Sequence, residues 1–179
     1  MSRIHRPYEL VPYNSDWALQ FKNVDAEVKD IMGSCVLEIE HIGSTSVPGL
    51  AAKPQIDVLV VVDNLDVVPQ FYTEFSRRGF VPRGRYYVDN DDDYITKDGS
   101  DGRRLISIHI FANDSHQISA YLEFRDYLRT HNKERQLYEN IKQNLYRKHR
   151  DDLASYDTEK GPLMKPIIDR AYTWAKSNK

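Results

Sequence analysis

The run Glu40-His41-Ile42-Gly43-Ser44-Thr45-Ser46-Val47-Pro48-Gly49-Leu50-Ala51-Ala52-Lys53-Pro54-Gln55-Ile56-Asp57 decides how this chain is read. An apolar run enters it from Cys35, and a second, Ile56-Asp57-Val58-Leu59-Val60-Val61-Val62, leaves it. The second run is nearly continuous in Ile, Val and Leu, which marks a central strand covered on both faces. A carboxylate in such a strand needs a reason, because an unpaired charge away from water is costly. Gly43 can take backbone angles closed to other residues, and three hydroxyl side chains follow it. A turn rich in N–H groups and hydroxyls, then a strand Asp as a hard oxygen ligand, suits a phosphate with a divalent metal. The alternative is a tight turn followed by an Asp satisfied by local hydrogen bonds.

Working outward, Arg6 to Tyr13 is extended and broken by Pro, so it reads as an arm or edge segment. Asn14 or Ser15 caps a helix whose apolar face is Trp17, Phe21, Val24, Val28 and Ile31. Val36 to Ile42 is the first strand. Its alternation puts Glu38, Glu40 and Ile42 on one side and Leu37, Ile39 and His41 on the other. Beyond the Asp57 strand, Asp63 to Asp66 starts a helix that runs through Val68 and Phe75 and closes at Gly79. Asp89-Asn90-Asp91-Asp92-Asp93 resembles a calcium loop. However, Tyr94 stands where that motif needs Gly and Ser100 where it needs Glu, so a solvated acidic loop is expected.

Short strands follow at Tyr94 to Lys97 and Arg103 to Phe111, joined by Asp-Gly turn signals. Helices are expected from Gln117 to Thr130, from Asn132 onward, and from Glu159 to Lys176, with a polar break from Asp151 to Tyr156. The fold class is therefore α+β: a mixed β-sheet of about four or five strands with flanking helices and a C-terminal helical part. One domain is expected over 1–179, with an α/β core over 1–115 and helices over 116–179.

Composition bounds the function. The 179 residues are 40% apolar and 29% charged, with mean hydropathy −0.65, and no apolar run approaches a membrane span. Cys35 is the single cysteine, and no apolar leader opens the chain, so the cytoplasm is the expected location. A net charge of −2 gives no global field favouring nucleic acid. The basic, Tyr-rich stretch from Tyr138 to Arg150 is the one local exception.

The candidate site gathers around the opening run. Asp57 lies 13 positions after Ser44, and a helical turn over Thr45 to Gly49 would aim N–H groups at an anion. Lys53 either balances phosphate charge or lays its stem on apolar surface. Alternation allows His109 to share the Asp57 face. A titratable group between apolar neighbours is a candidate ligand or base, though a satisfied structural His is the alternative. His41 is a second candidate, or a brace for the Gly43 turn. Arg125 and Arg129 stand four apart on one helix, a geometry for two phosphate or carboxylate oxygens, or else for a surface ion-pair network.

The opening run resembles the signature of the GrpB family. So do Val11-Pro12-Tyr13 with Trp17 and Phe21, the His109 strand, and Phe124-Arg125-Asp126-Tyr127-Leu128-Arg129. The resemblance covers nearly the whole chain. The family is similar in fold to the nucleotidyltransferase superfamily of polymerase-β type, and in some bacteria its domain is fused to dephospho-CoA kinase. The resemblance implies metal-dependent nucleotide binding or nucleotidyl transfer to an acceptor. Gly43, Ser44, Thr45, Lys53, Arg125 and Arg129 would be on the substrate. Asp57, His41 and His109 would be on a divalent metal, with Asp57 and His109 catalytic.

The superfamily pattern is Gly-Ser, about ten residues, then Asp-apolar-Asp/Glu-apolar. Gly43-Ser44 and Asp57-Val58 match it, but Leu59 occupies the second carboxylate position. Two-metal transfer needs oxygen ligands for ions ~4 Å apart, which one Asp cannot supply. Either His41, Glu40 or His109 rebuilds the site, favouring a softer metal than Mg²⁺, or the domain binds a nucleotide, a CoA precursor or a partner protein without transfer.

Overall fold

A computed structural model describes residues 6–85 and 91–178. Its centre is a five-stranded mixed sheet built from β1 (Val36–Ile42), β2 (Ile56–Val62), β3 (Val81–Gly84), β4 (Asp92–Asp98) and β5 (Arg104–Ala112). The spatial order is β1-β2-β5-β4-β3. Only β2 and β5 run parallel; the other neighbours are antiparallel. The helices are α1 (Asp16–Met32), α2 (Tyr72–Arg77), α3 (His116–Thr130), α4 (Asn132–Lys148) and α5 (Leu153–Ser177).

The continuous apolar run of β2 is explained by its two covered faces. Val58, Val60 and Val62 join Ile108 and Ile110 in a core that takes in Trp17, Val24 and Val28 of α1 and Phe75 of α2. On the opposite face, Leu59 and Val61 pack with Ile42 and Phe111 beneath Ile118, Tyr121 and Leu122 of α3. Fully burying a Val or Leu contributes roughly 1.5–3 kcal/mol, so both faces hold the strand in register. A third cluster seats the β1–β2 connector. Val47 and Leu50 pack with Leu128, Tyr138, Ile167 and Ala171, so α3, α4 and α5 grip the turn after β1.

Three expectations need correction. The acidic run is not a solvated loop at its C-terminal end. Asp92 and Asp93 open β4 and are 0% and 2% exposed, because His109 and the Tyr72 hydroxyl bond them. Asp89 and Asn90 lie outside the described residues. The segment after β2 is not one α-helix. Leu65–Phe71 is a 3₁₀ stretch with Pro69 inside it, and its start is capped by the Asn64 side chain. A proline removes the N–H that an α-helix needs there. The polar break before the last helix is shorter and earlier than expected, running only from His149 to Asp152. Asp152 accepts from the Ser155 N–H at 3.0 Å and starts α5 at Leu153. The helix then runs through Pro162 and Pro166. Tyr156, 1% exposed and packed on Tyr8, anchors its first turns, so tertiary packing wins over local propensity. In the basic stretch, Tyr138 is buried and Tyr146 packs edge-on against Tyr8, so these rings serve the interior. Among the described residues, no helix is long and apolar enough to cross a membrane.

Candidate functional site

The sheet register sorts the candidate residues. Ile42 stands opposite Asp57, and Asp57 is level with Ser107 on β5. Leu59 is flanked by Glu40 and His109. Asp57, Ser107 and His109 therefore share the face towards α3, as alternation suggested for His109. His41 is level with Val58 and points to the other face.

Each local feature of the Gly43 turn has a physical cause. Gly43 sits at φ 70° and ψ −174°, a region essentially reserved for glycine. A Cβ there would lie 2.3 Å from Asp57 Oδ2, so the missing side chain lets the turn rest on the carboxylate. Ser44–Ser46 form a 3₁₀ turn rather than a longer helical one. Ser46 Oγ donates to Gly43 O at 2.6 Å. Thr45 Oγ1 donates to Gln55 O at 3.1 Å and accepts from His41 Nε2 at 3.0 Å. His41 also stacks on Phe21, with centroids 4.7 Å apart. Burial lowers its pKa to about 4, helped by Arg129 and Arg125. His41 thus braces the turn.

The two arginines act on the backbone of the same turn. Arg129 donates through Nε and Nη2 to Ser46 O at 3.0 and 2.9 Å. Arg125 donates to His41 O at 3.1 Å and pairs with Glu40 and Asp126. Both also join an ion-pair network through Asp126 and Glu40, the alternative their spacing offered. They fasten α3 to the start of the turn.

A cavity of about 490 Å³ opens over Asp57. Ser44, Lys53, His109, Lys142 and Lys160 line it, and the arm residues Arg6 to Glu9 form one wall. Asp57 Oδ1 accepts from the Gln55 amide at 2.5 Å, and the same amide reaches Ser107 Oγ at 3.2 Å. The chain of bonds continues through Tyr94 to Arg104. Burial raises the Asp57 pKa, against the Gln55 hydrogen bond and the charges of His109, Lys53 and Lys160. Lys53 is pulled down by burial, with Asp157 in partial compensation 3.5 Å away.

The deepest cation is Lys142, which is 2% exposed. Its Nζ donates to Ser44 Oγ at 3.0 Å and to Ala51 O, and lies 4.6 Å from the Tyr138 ring centroid. Burial, reinforced by the nearby charge of Lys160, pushes its pKa down to about 7. Lys142 is not among the residues that the sequence singled out; it lies on the buried face of α4 with Tyr138 and Leu145, and that helical spacing was the available signal. The other residue missed is Asp92, whose Oδ2 meets His109 Nδ1 at 2.7 Å.

The surroundings of Asp57 can be tested against a two-metal centre. Its sheet neighbours are Ile42 and Ser107, Glu40 is engaged by Arg125, and His41 is on the far face. Among the described residues, no group of three or more His, Cys, Asp or Glu side chains is placed to hold a metal ion. An amide, a hydroxyl and lysines surround Asp57 where a two-metal centre needs carboxylates, so this donor set does not fit one.

The family model described as GrpB protein matches residues 7–170. The chain belongs to the GrpB family. The crystal structure of conserved protein GrpB from Enterococcus faecalis is similar over 92% of this chain and 99% of that one, with 33% identity and a TM-score of 0.82. UPF0157 protein YqkA of Bacillus subtilis is 33% identical over 96% of the chain, which spans only 49% of YqkA. A dephospho-CoA kinase of Mycobacterium tuberculosis is 28% identical over 94% of the chain, which again spans about half, 47%, of that relative. Cid1 in complex with its short product ApU matches at 18% identity and a TM-score of 0.50, over 78% of this chain and 43% of Cid1. That likeness shows a nucleotidyltransferase-like fold for this GrpB protein and nothing of its chemistry.

Proposed function

We propose that this GrpB domain binds a phosphorylated small molecule, a nucleotide or a CoA precursor, in the cavity over Asp57. One observation carries the reading: Lys53, Lys142 and Lys160 line the cavity around Asp57, where metal-dependent transfer would need carboxylates. Lys142 is buried, while Lys53 and Lys160 are each about a quarter exposed and share Asp157, so three ammonium groups face two carboxylates, Asp57 and Asp157, and leave positive charge for an anion to balance; a phosphate is the anion that a Gly-Ser turn receives. Ser44 and Lys142 would hold phosphate oxygens, with Lys53 at the cavity edge. The relative named dephospho-CoA kinase supports CoA precursors as one ligand class, and nucleotides are the other, on the phosphate chemistry of the cavity alone. Asp57 supplies a single carboxylate, so a divalent ion would enter on the ligand's own phosphates.

Thermal denaturation with ADP and with dephospho-CoA, each with and without Mg²⁺ or Mn²⁺, tests the proposal. Ligand at a hundred times Kd stabilises by about 2.7 kcal/mol. For a chain of this size that is roughly 5–10 °C in Tm. The rise should fall to about half or less in Lys142→Met at the same ligand concentration. No rise with either ligand under any metal condition would sink the reading. Transfer of labelled nucleotide to an acceptor, lost on Asp57→Ala, would restore the transferase reading in its place.

A further inference from the structure

The phosphate site leaves the Asp92–His109 pair without a role. Asp92 is fully buried at the head of β4, and its Oδ2 meets His109 Nδ1 at 2.7 Å. Its Oδ1 has no hydrogen-bond partner among the described residues. A buried carboxylate with an orphaned oxygen is destabilising, so the pair calls for an explanation beyond stability. The carboxylate only accepts, so Nδ1 keeps its proton and donates to Asp92, which fixes a single tautomer whenever the ring is neutral. Nε2 then carries a lone pair and no proton.

The ring is also held in place. Tyr94 and Tyr121 flank the imidazole, with centroids 4.8 and 5.9 Å away. His109 lines the same cavity as the lysines, and Asp57 lies within electrostatic reach of both. A molecule lying over Asp57 with its phosphates on Lys142 therefore meets His109 with its remaining polar groups. A ring nitrogen that only accepts distinguishes donors from non-donors, because a polar group left unpaired against it is penalised.

We infer that His109 accepts a hydrogen bond from a hydroxyl of the bound molecule, with Asp92 as its positioning residue, so that the cavity selects hydroxyl-bearing phosphates over their deoxy forms. The inference rests on the cavity being a phosphate site, and its test separates the two. Calorimetric titration at pH 8 compares ADP with 2′,3′-dideoxy-ADP. The wild-type protein should bind ADP about five- to tenfold more tightly, the weight of one good hydrogen bond. In His109→Phe the two affinities should converge while ADP still binds through the lysines. Equal affinities in the wild type would overturn this inference and leave the phosphate site standing. Failure of both nucleotides to bind would overturn this inference, and failure of dephospho-CoA as well would overturn the phosphate site too. A readout independent of any variant is the ¹⁵N spectrum of the wild-type imidazole. It should show Nδ1 protonated and Nε2 bare, and the opposite tautomer would refute the assignment.

Discussion

Protonation of His41 should unlatch the Gly43 turn, and its size can be worked from the structure. The ring is 8% exposed, stacked on Phe21 and bonded to Thr45, and its neighbouring charges are Arg129 and Arg125. Its pKa falls from 6.5 to about 4 on folding. Between those values the unfolded chain holds a proton that the folded protein refuses. Stability contributed by the neutral ring is therefore full above pH 6.5 and is lost as pH falls towards 4. At ~1.36 kcal/mol per pH unit the whole window amounts to about 3 kcal/mol, and integration gives roughly 2 kcal/mol by pH 5. Urea denaturation of wild type and His41→Gln at pH 7, 6 and 5 reads the difference. The variant starts less stable, having lost the stack, but its curve should fall less with acid, closing the gap by about 2 kcal/mol at pH 5. Parallel curves for the two proteins would refute the account, because a constant offset is all that lost packing alone can produce.

Gly43→Ala should destabilise the fold by roughly 1–3 kcal/mol through backbone strain alone. Its new Cβ, 2.3 Å from Asp57 Oδ2, must further displace the carboxylate. A calorimetric Tm and an ADP titration check both effects, and a variant with unchanged Tm would contradict the turn geometry. Lys142→Met removes the deepest cation, so ligand affinity should fall at least about tenfold, the weight of a charged hydrogen bond. The folded pKa of Lys142 is depressed to about 7, so the unfolded chain holds more protons from there up to the ordinary lysine value. Wild-type stability relative to Lys142→Met should therefore rise between pH 7 and 9, and a falling difference would count against the assignment.

Much of the fold was legible because periodicity carries it. The β2 run announced a strand covered on both faces, and alternation allowed His109 the Asp57 face that it takes, whereas His41, expected on a metal with Asp57, lies on the opposite face. The Gly43-Ser44 and Asp57 pairing was legible for a different reason: only glycine tolerates the observed φ against a carboxylate. What stayed hidden depended on distant partners. The acidic run read as solvated because Asp93 is satisfied by Tyr72, 21 positions away. Lys142 finds Ser44 across 98 positions, and no local pattern records that meeting. Arg125 and Arg129 had the right spacing for a phosphate, but their acceptors proved to be the carbonyls of His41 and Ser46. Spacing gives direction along a helix, not the identity of what lies opposite.

The cavity's walls come from opposite ends of the chain, and this sets an order on its birth. Asp57 and Ser44 are translated early, whereas Lys142 and Lys160 belong to α4 and α5. A nascent chain that has completed its sheet holds the floor of the site but none of the cations that α4 and α5 supply. During synthesis the first hundred residues offer the ligand only the Gly43-Ser44 turn and Lys53. Its full hold comes once α4 and α5 are in place, as a late latch that joins the C-terminal helices to the sheet. A truncation that removes α5 should accordingly leave a chain that the ligand cannot rescue at any concentration.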